Sequence, residues 1–559
     1  MGSDGRWGRM AIALVLILAV VFRLAGLSGK VYWGDEVFSS FRVAGFTLPE
    51  VAEILADGQP RTPAELQYFQ IPNGDRTTAD TVRALAIDDP QHPPLYFVAL
   101  RWWHQILGPV FGDGLPLRRL LSVAIGLAVL PCAYGLAWEL FGSRVIAWTA
   151  VAIIGLSPFH VLYSLEVRNY GLWTLEIVGS SWLLLRALRL KNSRAWFAYA
   201  LSAASLLYTL LFGLFTLMGH GAFVGIAAIQ RQLRRSQFIG FICAIAIALF
   251  LWQPWLRIII IGFGTITQTT GFTSLPVSPA MLIQNWGLNL GRLFIDWDSQ
   301  GQIFPADWSL APGLVIGAIV ATAALTVIAA ADLNRWQETK KNPESGIKSL
   351  ALWFLLTLIF AQFLPLLMLD LRSGGFRSGV TRYWVPCYLG LQLLIAFYLG
   401  RRQFWVQQQN WGRSLLGLIL ASQIISCTAS GIANTWWVEQ GSYDHPAVAD
   451  TLNAILAPGD PYPLILSQAY IPRLISLSYQ LRLDARIAII PDGNISIVTD
   501  SQPSDFLLYL YRPSPKWLAQ IQQQYPGAIA QPVYQSPPQF PYLPPLANHS
   551  AVQIYQLTL

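Results

Sequence analysis

Long apolar segments recur along this sequence, and they limit what the chain can fold into more than any other feature. A segment of about 20 apolar residues can cross a bilayer as a helix, so the pattern predicts a polytopic α-helical membrane protein with about eleven transmembrane helices. The composition agrees, because 54% of the 559 residues are hydrophobic and 12% are charged, against about 25% charged residues in a soluble domain. The segments run approximately over 10–27, 118–140, 144–158, 168–189, 195–212, 214–230, 236–260, 310–331, 349–370, 380–400 and 412–430.

Charge and cysteine content argue against several other classes. Loop lysines and arginines explain the net charge of +7 better than nucleic-acid binding does. The four cysteines lie in apolar runs without metal-ligand spacing, so we expect thiols that face lipid or lie in the protein core. The first apolar segment lacks a convincing small-residue cleavage site, which predicts a retained first helix. His220, inside a span, is expected to pack between helices rather than to bind a ligand.

The positions of the basic residues predict the topology. Segment 93–107 is apolar but short, and it carries Arg101 and His104. If it does not cross the membrane and the N-terminus is cytoplasmic, the basic clusters within 186–194, 231–235, 335–348 and 401–413 all face the cytoplasm, as the positive-inside rule requires. We therefore expect 93–107 to lie in the outer interface. The alternative is a twelfth span, which would move every cluster outward.

This topology divides the chain into two predicted domains. Residues 1–437 form a transmembrane catalytic domain with two large outer loops, 30–117 and 261–309, the first containing juxtamembrane helices. After Trp437 the composition changes, and 438–559 are predicted to form a small extracytoplasmic α/β domain. Its strands are expected over 463–467, 487–490, 506–511 and 552–557, with a helix over 515–525.

Two adjacent carboxylates, Asp35 and Glu36, directly follow the first span and stand beside Tyr32 and Trp33. Ionisable groups at a membrane boundary are costly unless they have a partner or a function. We therefore interpret the acidic pair as the chemical centre of a membrane enzyme. In the alternative interpretation, Asp35 caps a helix over 36–46 and Glu36 complements the dipole of that helix.

Further polar residues are expected near the same outer face. A departing polyprenyl phosphate needs Arg, His or Tyr donors as negative charge develops on it, and an acceptor hydroxyl needs a carboxylate to take its proton. This combination suits transfer from a lipid-linked donor to an outer acceptor. The residues are His92, Glu166, Arg168, Asp296, Asp298, Arg382 and Tyr383.

Several short motifs together resemble the dolichyl-phosphate-mannose–protein mannosyltransferase-like family. This family has the GT-C fold and includes the aminoarabinose transferases that act on lipid A. The resemblance covers about residues 10–430, and the small C-terminal domain looks like one that some bacterial members carry. The motifs are Tyr32-Trp33-Gly34-Asp35-Glu36, His92-Pro93-Pro94-Leu95-Tyr96, Ser157-Pro158-Phe159, Tyr163-Ser164-Leu165-Glu166-Val167-Arg168-Asn169-Tyr170, and Arg382-Tyr383 before Pro386.

The resemblance implies a polyprenyl-monophosphate-sugar donor, inversion at the anomeric carbon, and a first-loop aspartate as base, which is Asp35 here. His92 stands where other members have a lysine near the lipid phosphate, while Asp296 and Asp298 do not align cleanly with the acidic motifs of the family. The expected roles are catalysis for Asp35 and Glu36; donor-phosphate binding for His92, Arg168, Arg382 and Tyr383; and acceptor or sugar binding for Tyr32, Trp33, Tyr96, Glu166, Asp296 and Asp298.

Structural roles remain open for the same residues. Glu166 and Arg168 can pair with each other, Arg382 and Tyr383 can anchor the interface, and aromatic belts explain most outer Trp and Tyr residues. The sequence also leaves open whether Asp296 and Asp298 hold a divalent cation.

The leading hypothesis is a glycosyltransferase of the cytoplasmic membrane that uses a polyprenyl-phosphate sugar and a lipid, glycan or protein acceptor. The competing classes are a transporter or flippase of lipid-linked sugars and a non-catalytic membrane scaffold. Transporters usually place ionisable groups near mid-bilayer and often show paired repeats. Here the charges are predicted at one face, and the sequence shows no such repeat, which favours the transferase.

Overall fold

The computed structural model describes residues 4–296, 311–338, 350–402, 411–439, 442–455, 464–467, 470–490, 505–511, 519–520, 523, 526–527, 529–535 and 552–558. Its contacts divide the chain into two compact units. The first unit comprises residues 1–28, 89–96 and 116–432, and the second comprises 29–88, 97–115 and 433–559. The second unit therefore combines most of the first predicted outer loop with the C-terminal part of the chain.

Helices account for most of the described residues. In chain order they are α1 (Asp4–Ala25), α2 (Gly34–Ala44), α3 (Leu48–Leu55), α4 (Pro63–Gln67), α5 (Thr78–Asp88), α6 (Leu95–Phe111), α7 (Leu115–Phe141), α8 (Arg144–Gly155), α9 (Pro158–Tyr163), α10 (Tyr170–Leu190), α11 (Ser193–Thr209), α12 (Gly213–Ile229), α13 (Arg235–Ile261), α14 (Phe263–Thr269), α15 (Pro279–Gly291), α16 (Ala311–Glu338), α17 (Ala351–Ser373), α18 (Val385–Arg402), α19 (Trp411–Ile432), α20 (His445–Ile455) and α21 (Ile471–Ser478).

Seven helices within the described residues are long and apolar enough to cross a membrane: α1, α7, α13, α16, α17, α18 and α19. The chain is thus a multi-pass membrane protein, as predicted. The other four predicted spans coincide with α8, α10, α11 and α12, of which α8 and α12 are shorter apolar helices. The break expected near Gly213 is present, because α11 ends at Thr209 and α12 begins at Gly213. A total of eleven spans remains a prediction.

Helix α6 occupies the segment whose membrane crossing was ambiguous. Its Tyr96 and Leu100 side chains are fully buried, whereas Trp102, Ile106 and Val110 are exposed. These exposed residues recur every four positions and form one apolar stripe, which is typical of an amphipathic helix. Its placement in the interface remains a prediction.

The second unit contains a five-stranded sheet built from β1 (Leu464–Ser467), β2 (Ile487–Ile489), β3 (Asp505–Tyr511), β4 (Ile529–Gln535) and β5 (Val552–Thr558). The strand order is β2-β1-β3-β5-β4, with β1 parallel to β2 and β3 and the remaining pairs antiparallel. The sequence predicted every strand except β4. Most of the helix predicted over 515–525 lies outside the described residues, and the domain boundary at 437/438 remains a prediction.

Close packing in the first unit depends on a small residue where α12 meets α17. A Cβ atom built at Gly219 would lie 2.9 Å from the carbonyl O of Thr357, which is closer than van der Waals contact permits. The adjacent His220 is buried, with its ring nitrogens 3.0 Å from Ser181 Oγ and 3.1 Å from the Tyr199 hydroxyl. His220 therefore links three helices, and its predicted packing role is confirmed.

Replacing Gly219 by alanine should destabilise the protein, because the added methyl group has to displace the backbone of α17. Overpacking of this kind costs about 1–3 kcal/mol. Gly225→Ala, on the same helix, is the matched control, since no atom lies within 4 Å of a Cβ there. Thermal unfolding of both variants in one detergent measures the difference, and equal melting temperatures would contradict the packing.

Cysteine labelling in intact cells tests the predicted topology. Ser193 and Gln284 are both exposed, and the positive-inside rule places them in a cytoplasmic and an outer loop, respectively. With the native cysteines replaced, a membrane-impermeant maleimide should label Gln284→Cys but not Ser193→Cys, and permeabilised cells should label both. Labelling of Ser193→Cys in intact cells would reverse the assigned orientation.

Candidate functional site

The predicted catalytic pair lies at the start of α2 in the second unit, where the two carboxylates have different surroundings. Asp35 is half-buried in the first turn. Glu36 is fully buried, and its Oε2 accepts a hydrogen bond of 3.3 Å from the Trp33 backbone N–H. This contact satisfies a backbone donor at the helix N-terminus, as in one half of a capping box. Asp35 is therefore the more accessible of the two acids.

The aromatic residues before this pair are buried in the second unit. Tyr32 and Trp33 are 2% and 4% exposed. The Tyr32 hydroxyl lies 2.8 Å from Gln70 Oε1 and 3.1 Å from the backbone O of Glu36. The Tyr32 hydroxyl is thus hydrogen-bonded to the turn that contains Asp35 and Glu36. The predicted sugar-binding role of Tyr32 and Trp33 remains a prediction.

In the first unit, two arginines that are far apart in sequence meet at a single aromatic ring. The guanidinium carbon of Arg168 is 5.5 Å from the Tyr170 ring centroid, and that of Arg382 is 5.7 Å from the same centroid. Both distances fall within the range of cation–π interaction. Tyr170 is the first residue of α10 and is buried, so it holds both cations at the beginning of this helix.

Tyr163 and Glu166 belong to the same neighbourhood. Burial raises the pKa of the Tyr163 hydroxyl well above its usual value, the Glu166 carboxylate raises this pKa further, and Arg382 lowers it. The Tyr163 and Tyr170 rings are 5.6 Å apart. An acid, two cations and two phenols are thus gathered where α9 and α10 meet. The sequence predicted a common membrane face for Glu166, Arg168 and Arg382, and it did not single out the two tyrosines.

Arg292 is a further cation close to these residues; it is buried, and the sequence analysis missed it. It follows α15, and its Nη1 donates a hydrogen bond of 3.0 Å to Thr381 Oγ1, on the residue directly before Arg382. Thr381 in turn contacts Asn289 Oδ1 at 2.7 Å. One sequence signal was available, because Arg292 is the sole basic residue in the predicted outer loop 261–309. We refer to Arg168, Arg292 and Arg382 as the arginine cluster.

Aromatic contacts connect this cluster with Asp296. The Tyr388 hydroxyl has Arg292 and Asp296 as electrostatic neighbours, and the Phe159 ring lies 4.5 Å from the Tyr388 ring and 4.6 Å from the Tyr163 ring. Asp296 is buried, and its backbone N–H donates to Ser426 Oγ at 3.0 Å. Asp298 lies outside the described residues.

The remaining predicted residues of the first unit have contacts of their own. His92 Nδ1 is 3.9 Å from Asp89 Oδ1, and the Tyr96 hydroxyl is 2.8 Å from Ser122 Oγ. The Tyr383 ring packs edge-on against Phe212 with centroids 4.6 Å apart. Their predicted roles remain predictions.

The arginine cluster favours a negatively charged ligand. Arginine keeps its charge at any physiological pH and matches phosphate geometry with its planar set of donors. Within the described residues, no three His, Cys, Asp or Glu side chains are placed to hold a metal ion. The guanidinium groups of the arginine cluster supply positive charge at this site.

Comparisons with known proteins bear on the fold. A scan against protein-family models and a search of curated proteins gave no match. The structure aligns with ArnT from Cupriavidus metallidurans bound to undecaprenyl phosphate over 98% of this chain and 97% of that chain, with 12% sequence identity and a TM-score of 0.53. It also aligns with the Archaeoglobus fulgidus oligosaccharyltransferase in complex with zinc and sulfate, over 90% of this chain and 68% of that chain, with 10% identity and a TM-score of 0.48.

We take the fold from the first likeness alone, because a TM-score below 0.5 does not establish a common fold. The alignment covers nearly the whole of both chains. The chain has the GT-C fold of ArnT, and the fold that the sequence resemblance implied is confirmed.

Proposed function

We propose that this chain is a membrane glycosyltransferase that moves a sugar from a polyprenyl-phosphate donor to an extracytoplasmic lipid, glycan or protein acceptor. The arginine cluster is the observation that carries the proposal, because it provides cations for one phosphate in a chain with the GT-C fold. A protein with this fold has been solved with undecaprenyl phosphate bound, and that ligand has the chemistry that the cluster suits.

The proposed reaction is one displacement at the anomeric carbon. The acceptor oxygen forms the new glycosidic bond as the bond between that carbon and the phosphate oxygen breaks, which inverts the configuration. Negative charge grows on the departing phosphate, and the guanidinium groups of Arg168, Arg292 and Arg382 stabilise it there. His92 and Tyr383 are proposed as further donors to the same phosphate.

Asp35 is proposed as the general base that takes the proton of the acceptor hydroxyl. Two observations support Asp35 over Glu36 in this role. Asp35 is half-buried in the first turn of α2, so an acceptor can reach it. Glu36 is fully buried and already accepts the Trp33 N–H.

Replacing Asp35 by asparagine should lower kcat by about 100- to 10,000-fold while leaving donor affinity unchanged, because a general base acts on the acceptor alone. Turnover of polyprenyl-phosphate sugars by the purified protein measures kcat, and a lipid-phosphate binding assay measures affinity. Glu36→Gln is the matched control, since an amide oxygen can still accept the Trp33 N–H. Full activity in Asp35→Asn would refute the assigned base, and equal losses in both variants would assign Glu36 a chemical role.

Replacing Arg382 by glutamine should weaken binding of undecaprenyl phosphate by about 10- to 100-fold, the effect of losing one hydrogen bond to a charged group. Arg372→Gln, at the exposed end of α17, is the matched control and should bind as the unmodified protein does. Equilibrium binding of the lipid phosphate in detergent makes the comparison. Identical affinities of the two variants would remove Arg382 from the phosphate site.

A further inference from the structure

The segment that carries Asp35 is held in place by the C-terminal part of the second unit. Residues 30–33 come before α2 and belong to no helix or strand. Val31 N–H donates a hydrogen bond of 2.8 Å to the Asn434 backbone O, and Gly34 N–H donates one of 3.2 Å to Ser442 Oγ. These bonds connect residues that are about 400 positions apart in the chain.

Ser476 of α21 forms the central bond of this attachment. Its hydroxyl donates to the backbone O of Tyr32, and the same oxygen lies 2.8 Å from His445 Nδ1. A serine hydroxyl has one proton, and the Tyr32 carbonyl can only accept it. His445 Nδ1 must therefore donate its own proton to Ser476 Oγ, which defines the tautomer of a neutral His445.

The surroundings of His445 maintain this neutral state. The ring is fully buried, and burial together with the nearby Arg473 guanidinium lowers the pKa of His445 well below its usual value. Arg473 is itself paired with Asp444. His445 thus donates to Ser476, and Ser476 donates to the Tyr32 backbone O, three residues before Asp35.

Side-chain packing reinforces these hydrogen bonds. The Tyr32 ring contacts the Tyr479 ring edge-on, with centroids 4.7 Å apart, and the Lys30 ammonium lies 5.7 Å from the Trp436 ring centroid. Helix α21 packs against both α2 and α4, and all of its residues are buried. The turn that presents Asp35 therefore packs against a fully buried helix.

A second attachment joins the same parts of the chain through the sheet. Arg61 and Ile487 exchange two backbone hydrogen bonds of 2.9 Å, so the first loop adds an antiparallel bridge to the edge strand β2. Edge strands have unpaired backbone groups that readily accept another segment. The loop containing Asp35 is thus hydrogen-bonded to the C-terminal residues at two places, helix α21 and strand β2.

We propose that the C-terminal part of the second unit positions the catalytic carboxylate, with Ser476, His445 and Ser442 as positioning residues that set the orientation of the turn at Asp35. This inference rests on the proposed role of Asp35. General-base catalysis requires the base within hydrogen-bonding reach of the proton that it removes, and small misplacements cost large factors in rate. The C-terminal residues then act on turnover through the backbone of 31–34.

The comparison of Ser476→Ala with Ser478→Ala tests this proposal. Both serines lie on α21 and are at most 1% exposed, but Ser478 bonds to the backbone O of Ile475 and to Gln67 instead of the acidic motif. Both variants should lose similar thermal stability. Ser476→Ala alone should lower kcat by about 10- to 100-fold with donor KM unchanged, whereas equal effects of the two variants on kcat would overturn the positioning role.

Two further measurements separate this proposal from the proposed function. Adding Ser476→Ala to Asp35→Asn should cause no additional loss of kcat, because a positioning residue acts only through the group that it positions; additive losses would contradict it. In an Asp35→Cys variant, Ser476→Ala should change the rate of maleimide labelling several-fold and Ser478→Ala should not. The labelling test needs no turnover, so it can succeed or fail whether or not the protein transfers sugar.

Discussion

Burying a guanidinium group imposes the strictest physical condition on this structure. The group keeps its charge, so it needs carboxylates, carbonyls or aromatic faces around it. In the second unit this condition is met by ion pairs: Arg42 lies 3.2 Å from Asp88, and Arg473 is paired with Asp444. In the first unit, the guanidinium groups of Arg168 and Arg382 both lie over the Tyr170 ring. An aromatic face attracts a cation without removing its charge.

The helices of the first unit could be predicted from the sequence because hydrophobicity is a local property. Even the break at Gly213 followed from the length of the apolar stretch. The short helices α3 and α4 were missed, although Thr47 with Glu50 and Thr62 with Glu65 form capping boxes that the sequence displays. Strand β4 was missed for a different reason, because Pro532 within it is unfavourable for a strand and its placement depends on pairing with β5.

The candidate site was predictable in its residue types but not in its contacts. The predicted topology favoured one membrane face for Arg168 and Arg382, but only the fold shows that they meet at Tyr170. The sequence likewise could not show which of the adjacent carboxylates, Asp35 or Glu36, is the more accessible. Successive residues on a helix point about 100° apart, and here that rotation leaves Asp35 half-buried and turns Glu36 inward to the Trp33 N–H.

The hydrogen bond between Ser476 and Tyr32 has a consequence for biosynthesis. The two residues are 444 positions apart, and translation at about 5–20 residues per second separates their emergence from the ribosome by roughly 20–90 seconds. Throughout this interval the apolar helices between them enter the lipid while the acidic turn lacks its serine partner. The local geometry of the turn is therefore completed only after every helix of the first unit has been made, and a chain truncated after Ile432 would still lack it.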